Sequence, residues 1–412
     1  MLAALRSVAR FPSRGTRSSR FDRLTSVADL RGAAQRRLPA AVFDYIEGGA
    51  EGEVTLRRNV AAFADTTFVP RVLRDVSDVD PSTTLVGRPL PLPLVLAPTG
   101  FTRIAHPEGE LAVARAAARA GIPYTLSTLG TSSIEDVASA GGRRWFQVYV
   151  WRDRGLVEEM IARARAASYE AIVLTVDTAV LGRRERDVRR GLTLPPAIGL
   201  ETLVDGVRHP RWTWGLLRSE PIRFANVTGR HVGDGATPVR LADYVSSQFD
   251  SALSWRDLDW LRAAWDGPIV LKGIQSVADA RIAATEGVDV VAVSNHGGRQ
   301  LDRSPAVLDL VADVRDAVGD AVELLCDGGV RRGSDIVAAL ALGATACMIG
   351  RAYLYGLAAG GEAGVDHVLD LLDRDVRRTL ALLGCPAAVE LSREDIRPMT
   401  PTHATATTGT GR

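Results

Sequence analysis

Short apolar runs alternate with helical patterns along this chain, and that alternation limits the folds open to it more than any other feature. Runs rich in branched aliphatic residues occur at 94–97, 124–127, 145–149, 171–177, 268–272, 289–294, 322–326 and 345–350. Each has the length and composition of a strand buried on both faces. Helical patterns separate them, as from Glu108 to Arg119 and from Ser334 to Leu342. Eight such strands alternating with helices predict a closed parallel (β/α)8 barrel of the TIM type. An open doubly wound sheet would want a glycine-rich dinucleotide turn after its first strand. Ala97-Pro98-Thr99-Gly100 is not one.

The barrel is expected within residues 25–400. Ahead of its first strand, a helical pattern begins at Val27, and Leu38-Pro39 starts a further helix through Tyr45 that ends at Gly48-Gly49. One connection breaks the rhythm. The stretch between Asp177 and Pro268 is far longer than an ordinary strand–helix connection, and predicts a functional insertion at about 186–250, after the fourth strand, on the carboxyl face. It holds His209-Pro210-Arg211-Trp212-Thr213-Trp214 and a glycine-rich piece at 228–236. Trp212, Trp214, Leu216 and Leu217 lie among Arg208, Arg211 and Arg218. That composition suits a membrane surface, or equally a lid packed on the barrel mouth. The first 20 residues carry five Arg and no acid, so 1–24 read as a flexible basic arm, with a transit peptide as the alternative. The Thr- and Gly-rich tail, 401–412, reads as disordered.

A net charge of +1 gives no electrostatic footprint for nucleic acid. Cys326, Cys347 and Cys385 are odd in number and widely spaced, which points to a reduced, cytoplasmic setting and to no disulfide framework or metal site. One count is sharper. Of 50 basic residues only Lys272 is Lys, and an ammonium kept against so strong an Arg bias fits a task that needs a compact charge against one atom.

In such a barrel the carboxyl ends of the strands converge on one mouth. Read in order, those ends are Pro98-Thr99-Gly100, Ser127-Thr128, Gln147 with Tyr149, Thr175 with Asp177, Lys272, Ser294 with His296, Asp327-Gly328-Gly329, and Gly350-Arg351. They are polar although every strand body is apolar. The strand Val288–Val293 runs straight into Ser294-Asn295-His296-Gly297-Gly298-Arg299, where two glycines let the chain turn sharply. An isolated His there would be a satisfied loop residue. A neutral imidazole beside a guanidinium instead suits an anionic substrate that must lose a proton. Asp327-Gly328-Gly329-Val330-Arg331 and Gly350-Arg351, on the seventh and eighth strands, are placed where such barrels hold phosphate.

These residues together resemble the FMN-dependent L-2-hydroxy-acid oxidase and dehydrogenase family over roughly Val27 to Met399. The carriers are Ser294 to Asp302, Asp327 to Gly333, Leu174 to Thr178, Gly182 to Glu185 and Ala97 to Gly100. Within the family, His209-Pro210-Arg211-Trp212 and 349–357 look most like bacterial L-lactate dehydrogenases, with mandelate dehydrogenase close behind. The resemblance implies FMN and oxidation of an L-2-hydroxy acid, first of all L-lactate to pyruvate, with electrons passing to a quinone or cytochrome. A peroxide-forming oxidase and a mandelate dehydrogenase are the enzyme alternatives, and a silent phosphate-binding barrel the alternative of another class. It also implies a homotetramer with possible peripheral contact at the inner face of the cell membrane. By resemblance His296 is the base and Asp177 its partner. Arg184 and Arg299 bind the substrate carboxylate, Tyr45 and Tyr149 bond substrate oxygens, and Lys272 supports the reduced flavin. Pro98, Thr99, Gly100, Ser127, Gln147, Thr175 and Ser294 surround the flavin ring. Asp327, Gly329, Arg331, Gly350 and Arg351 surround ribityl and phosphate. Leu129 and Gly100 stand where glycolate oxidase has Trp and oxidases usually have Ala, which implies a roomier substrate pocket.

Overall fold

A computed structural model of the chain describes residues 21, 23–190, 205–227 and 247–398. The glycine-rich piece at 228–236, the tail at 401–412 and nearly all of the basic arm lie outside the described residues. Three helices come first: α1 (Val27–Arg37), α2 (Ala40–Glu47) and α3 (Val54–Ala64). Ser26 starts α1 by accepting from the Asp29 N–H at 3.2 Å, a side-chain cap of the usual kind. Strand β1 (Thr66–Phe68) is followed by the antiparallel pair β2 (Thr83–Leu85) and β3 (Arg88–Leu90).

The barrel proper is β4 (Leu94–Leu96), β5 (Tyr124–Ser127), β6 (Arg144–Val148), β7 (Ala171–Thr175), β8 (Ile269–Ile274), β9 (Val290–Ser294), β10 (Glu323–Asp327) and β11 (Ala346–Ile349). All eight neighbouring pairs are parallel and the ring closes between β11 and β4. Every strand falls within a residue or two of the run that foretold it. Burial on both faces is the reason: β7 is apolar up to Thr175 at its carboxyl end, and all five of its residues are buried. Helices α4 (Gly109–Ala120), α5 (Ile134–Ser139) and α6 (Arg154–Ala166) cross between the first four barrel strands. The long connection after β7 carries α7 (Glu185–Arg189), α8 (Pro210–Arg218) and α9 (Asp257–Ala264). Then come α10 (Val277–Thr285), α11 (Val307–Val318), α12 (Gly333–Ala341), α13 (Arg351–Gly360) and α14 (Glu362–Leu383), and β12 (Ile396–Pro398) closes by pairing antiparallel with β1.

The two ends of the barrel differ. The β2–β3 hairpin plugs the amino end with fully buried Leu85 and Leu90. The Val86 N–H donates to the Glu323 carboxylate at 2.7 Å, and Arg143 donates to the Leu85 and Pro89 carbonyls. The carboxyl end stays open. Cys326 and Cys347 are register partners on β10 and β11 and, like Cys385, are buried free thiols. Among the described residues no helix is long and apolar enough to cross a membrane.

Candidate active site

The open end holds a cavity of about 1550 Å³, mouth included. At the end of β9 His296 sits in the left-handed region, φ 57°, uncommon for a residue with a Cβ. Its Nδ1 lies 3.0 Å from Asp177 Oδ1. Asp177 follows β7, and β8 makes way for it: a register shift falls between Lys272 and Ile274, and Gly273 has φ +113°. A Cβ on Gly273 would stand 2.8 Å from the Asp177 side chain, so the glycine is required by the carboxylate beside it. Burial opposes the charge on Asp177, but His296 and the Lys272 ammonium outweigh it and hold the group below the usual carboxylate range.

Two guanidinium groups flank one aromatic ring. Arg299 lies 5.2 Å and Arg184 5.9 Å from the ring centroid of Tyr45 on α2. Arg299 is fixed by donating to the Tyr45 and Gly48 carbonyls at 2.8 and 2.9 Å. Burial and then the nearby Arg184 charge lower its pKa to about 9. Among the described residues Arg184 is held by one bond, from Nε to Asp187 Oδ2 at 2.6 Å. Tyr149 stacks edge-on against Phe249 with centroids 5.1 Å apart. Burial and then Asp177 raise its phenol well above the usual range, so it stays a protonated donor.

Deeper in, Lys272 Nζ sits 2.7 Å from Asp327 Oδ2 and 3.1 Å from Ser294 Oγ, which itself donates to Asp327 at 2.6 Å. Burial lowers the Lys272 pKa, but Asp327 and Asp177 more than reverse this. Nearby, Gln147 Oε1 accepts from Ser127 Oγ at 3.0 Å, while its buried Nε2 has no partner among the described residues. At the other end Gly328, Gly329, Gly350, Arg331 and Arg351 line the wall. A Cβ on Gly329 would fall 2.0 Å from the Asn59 carbonyl, so backbone must pass bare there. Asp327, already paired, is the one carboxylate lining the cavity among the described residues. An orphaned amide donor and a buried ammonium, with two Arg on the cavity wall, fit a polar ring that carries a phosphate tail.

A family model described as FMN-dependent dehydrogenase matches residues 34–398. The chain belongs to the FMN-dependent dehydrogenase family. An L-lactate dehydrogenase of Caulobacter vibrioides is 46% identical over 88% of this chain and 94% of its own length. One of Xanthomonas campestris pv. campestris is 42% identical over 92% and 98%. Among solved structures, the monotopic membrane protein (S)-mandelate dehydrogenase superposes with a TM-score of 0.88 at 42% identity, over 91% of this chain and all of its own. As a member of the FMN-dependent dehydrogenase family this chain is an FMN-dependent oxidoreductase that converts a 2-hydroxy acid to the 2-keto acid.

Of the residues singled out in the sequence, Tyr45, Pro98, Thr99, Gly100, Ser127, Leu129, Tyr149, Thr175, Arg184, Lys272, His296, Arg299, Asp327, Gly329, Arg331, Gly350 and Arg351 line this one cavity. Asp177, Gln147 and Ser294 are not among the lining residues but are hydrogen-bonded to His296, Ser127 and Lys272, which are. Two readings change. The space left by Gly100 is partly taken by Leu129, whose Cβ lies 3.2 Å from where a Gly100 Cβ would be, so those two positions do not simply add room. Arg351 gives one N–H from each of its three nitrogens to the carbonyls of Ile46, Gly48 and Gly297, so two of its five donors are left toward the cavity it lines. The sequence reading missed Leu181, Phe224 and Phe249, which also line the cavity. They carry no motif, and only their place in the long connection hinted at them.

Proposed function

We propose that this chain is an L-2-hydroxy-acid dehydrogenase of the mandelate type, taking substrates with an aromatic or similarly bulky apolar side chain at a membrane surface. The observation that carries the reading is the His296–Asp177 pair, 3.0 Å apart, facing the same cavity as Arg184 and Arg299. The arginines take the carboxylate, which places the 2-hydroxy carbon beside the imidazole. His296 accepts the proton, and Asp177 stabilises the imidazolium that results. Tyr45 and Tyr149 donate to substrate oxygens. FMN, when bound, supplies a two-electron acceptor. Lys272, Gln147, Ser127 and Thr175 would hold its ring, and Gly329, Arg331, Gly350 and Arg351 its ribityl phosphate.

Leu129, Leu181, Phe224 and Phe249 offer more apolar wall than a methyl group needs, which supports the mandelate type. So does the likeness to (S)-mandelate dehydrogenase. L-Lactate is the second reading, favoured by the identity to enzymes of that name. The monotopic relative and α8 together support surface binding. Trp212 is tied to the barrel, donating to the Ile104 carbonyl at 2.8 Å, whereas Trp214 and Leu217 are 57% and 74% exposed. One helix thus serves as lid on one side and leaves apolar side chains outside on the other. Electrons then go to a quinone or cytochrome.

The test is anaerobic stopped flow with (S)-mandelate and with L-lactate, followed by reoxidation with a soluble quinone or with oxygen. Faster bleaching by mandelate and faster reoxidation by quinone are expected. Faster bleaching by lactate selects the second reading, and reoxidation by air within turnover time makes the protein an oxidase. No bleaching by either acid overturns the mechanism.

A further inference from the structure

We propose that Asp187 is a positioning residue for the substrate carboxylate: by holding Arg184 at Nε it presents that guanidinium's two terminal nitrogens to the cavity as a fork beside Arg299. The proposal rests on reading Arg184 and Arg299 as the carboxylate clamp. Arg184 lines the cavity with its side chain only 17% exposed, and its terminal nitrogens have no partner among the described residues. The two clamp residues are therefore held by opposite ends of the group. Arg299 is gripped through a terminal nitrogen by the carbonyls of Tyr45 and Gly48, while Arg184 is gripped through Nε by Asp187 at 2.6 Å.

A tether is needed there. Both guanidiniums lie within 6 Å of the Tyr45 centroid, so two like charges share a mostly buried site. A long flexible side chain under that repulsion swings away unless something fixes it. Asp187 is the one carboxylate bonded to either of them among the described residues. Its place in the fold argues against a merely structural role. It is the third residue of the five-residue helix α7, where a carboxylate commonly turns back to cap its own helix, yet no side-chain cap is made. Oδ2 goes to Arg184, and Oδ1 is buried with no partner among the described residues.

The experiment measures KM, the limiting rate of flavin reduction and oxalate inhibition in FMN-loaded Asp187→Ala, Asp187→Asn and Arg184→Ala proteins, and in the double variant Arg184→Ala/Asp187→Ala. FMN content checks folding. Asp187→Ala should raise KM and the oxalate constant together by roughly tenfold to a hundredfold, the effect of losing a charged hydrogen bond, with a much smaller change in the limiting rate. Asp187→Asn keeps an oxygen for Nε and should recover most of the loss. In the Arg184→Ala background Asp187→Ala should add nothing. Unchanged oxalate affinity in Asp187→Ala, equal damage in Asp187→Asn, or additive losses in the double variant would each overturn the proposal. Unchanged oxalate affinity in Arg184→Ala would instead overturn the clamp reading itself.

Discussion

Replacing Lys272 with Met tests whether the buried cation in the barrel is held by its partner or merely tolerated. The Lys272 and Asp327 side chains are 5% and 10% exposed, so neither charge has much water to fall back on. Without the ammonium, Asp327 keeps only the Ser294 hydroxyl as donor among the described residues. It then has two courses. Left charged and unpaired, it costs about 3–5 kcal/mol, the usual penalty for breaking a buried pair. Protonated instead, it takes up at pH 7 a proton that the carboxylate of an unfolded chain, pKa about 3.9, releases, which costs about 3 units at about 1.4 kcal/mol each, or ~4 kcal/mol. The two routes agree, so the FMN-free variant should be about 4 kcal/mol less stable than the FMN-free parent at pH 7. The sign with pH follows. A carboxylate whose folded pKa is raised holds a proton that the unfolded chain releases, so stability is lost as pH rises. The deficit should therefore shrink by about 1.4 kcal/mol per unit as pH falls from 7 toward 5. Urea unfolding at several pH values measures both quantities. Lys272→Met/Asp327→Asn should return to within about 1 kcal/mol of the parent and lose the pH slope, since no buried charge remains. A deficit under about 1 kcal/mol at pH 7, or one that does not narrow toward pH 5, would refute the reasoning.

His296→Gln keeps a hydrogen-bonding group but cannot take the proton, so FMN should still bind while substrate-driven flavin reduction falls by about 10²–10⁴-fold in stopped flow. Reduction at the parent rate removes His296 from the role of base. Trp214→Ser/Leu217→Ser should release the protein from anionic vesicles in a sedimentation assay without changing flavin reduction. Trp212→Ser, which loses the bond to Ile104, should instead leave vesicle binding largely intact and loosen the lid, seen as faster proteolysis near α8.

The barrel was legible because strands buried on both faces must be apolar throughout, and that leaves a mark in composition as well as in spacing. The site was legible at strand ends, where polarity has no structural reason to gather. The stretch 294–302 mixes two uses of polarity. Ser294, His296 and Arg299 serve the cavity, but Asn295 exchanges two hydrogen bonds with Asn59 at 2.7 and 2.8 Å. Asp302 accepts the Val54 and Thr55 N–H groups at the start of α3. Framework and chemistry both call for polar side chains in a buried turn, so spacing alone cannot separate them. Asp187 was hidden for a different reason: its partner is set by the path of the loop. Phe249 was hidden because an apolar wall residue looks like core.

The grip of Arg351 and Arg299 on the carbonyls of Ile46, Gly48 and Tyr45 also has a consequence in time. The Arg351–Ile46 bond joins residues 305 apart in the chain. At a synthesis rate of about 5–20 residues per second, the second partner emerges ~15–60 s after the first. Until Arg299 is made none of these α2 carbonyls has its guanidinium donor, and until Arg351 is made the Ile46 carbonyl still lacks its own. A chain truncated between Arg299 and Arg351 therefore keeps only the Arg299 hold on the end of α2, and one truncated short of Arg299 has neither, however much of the barrel has already formed.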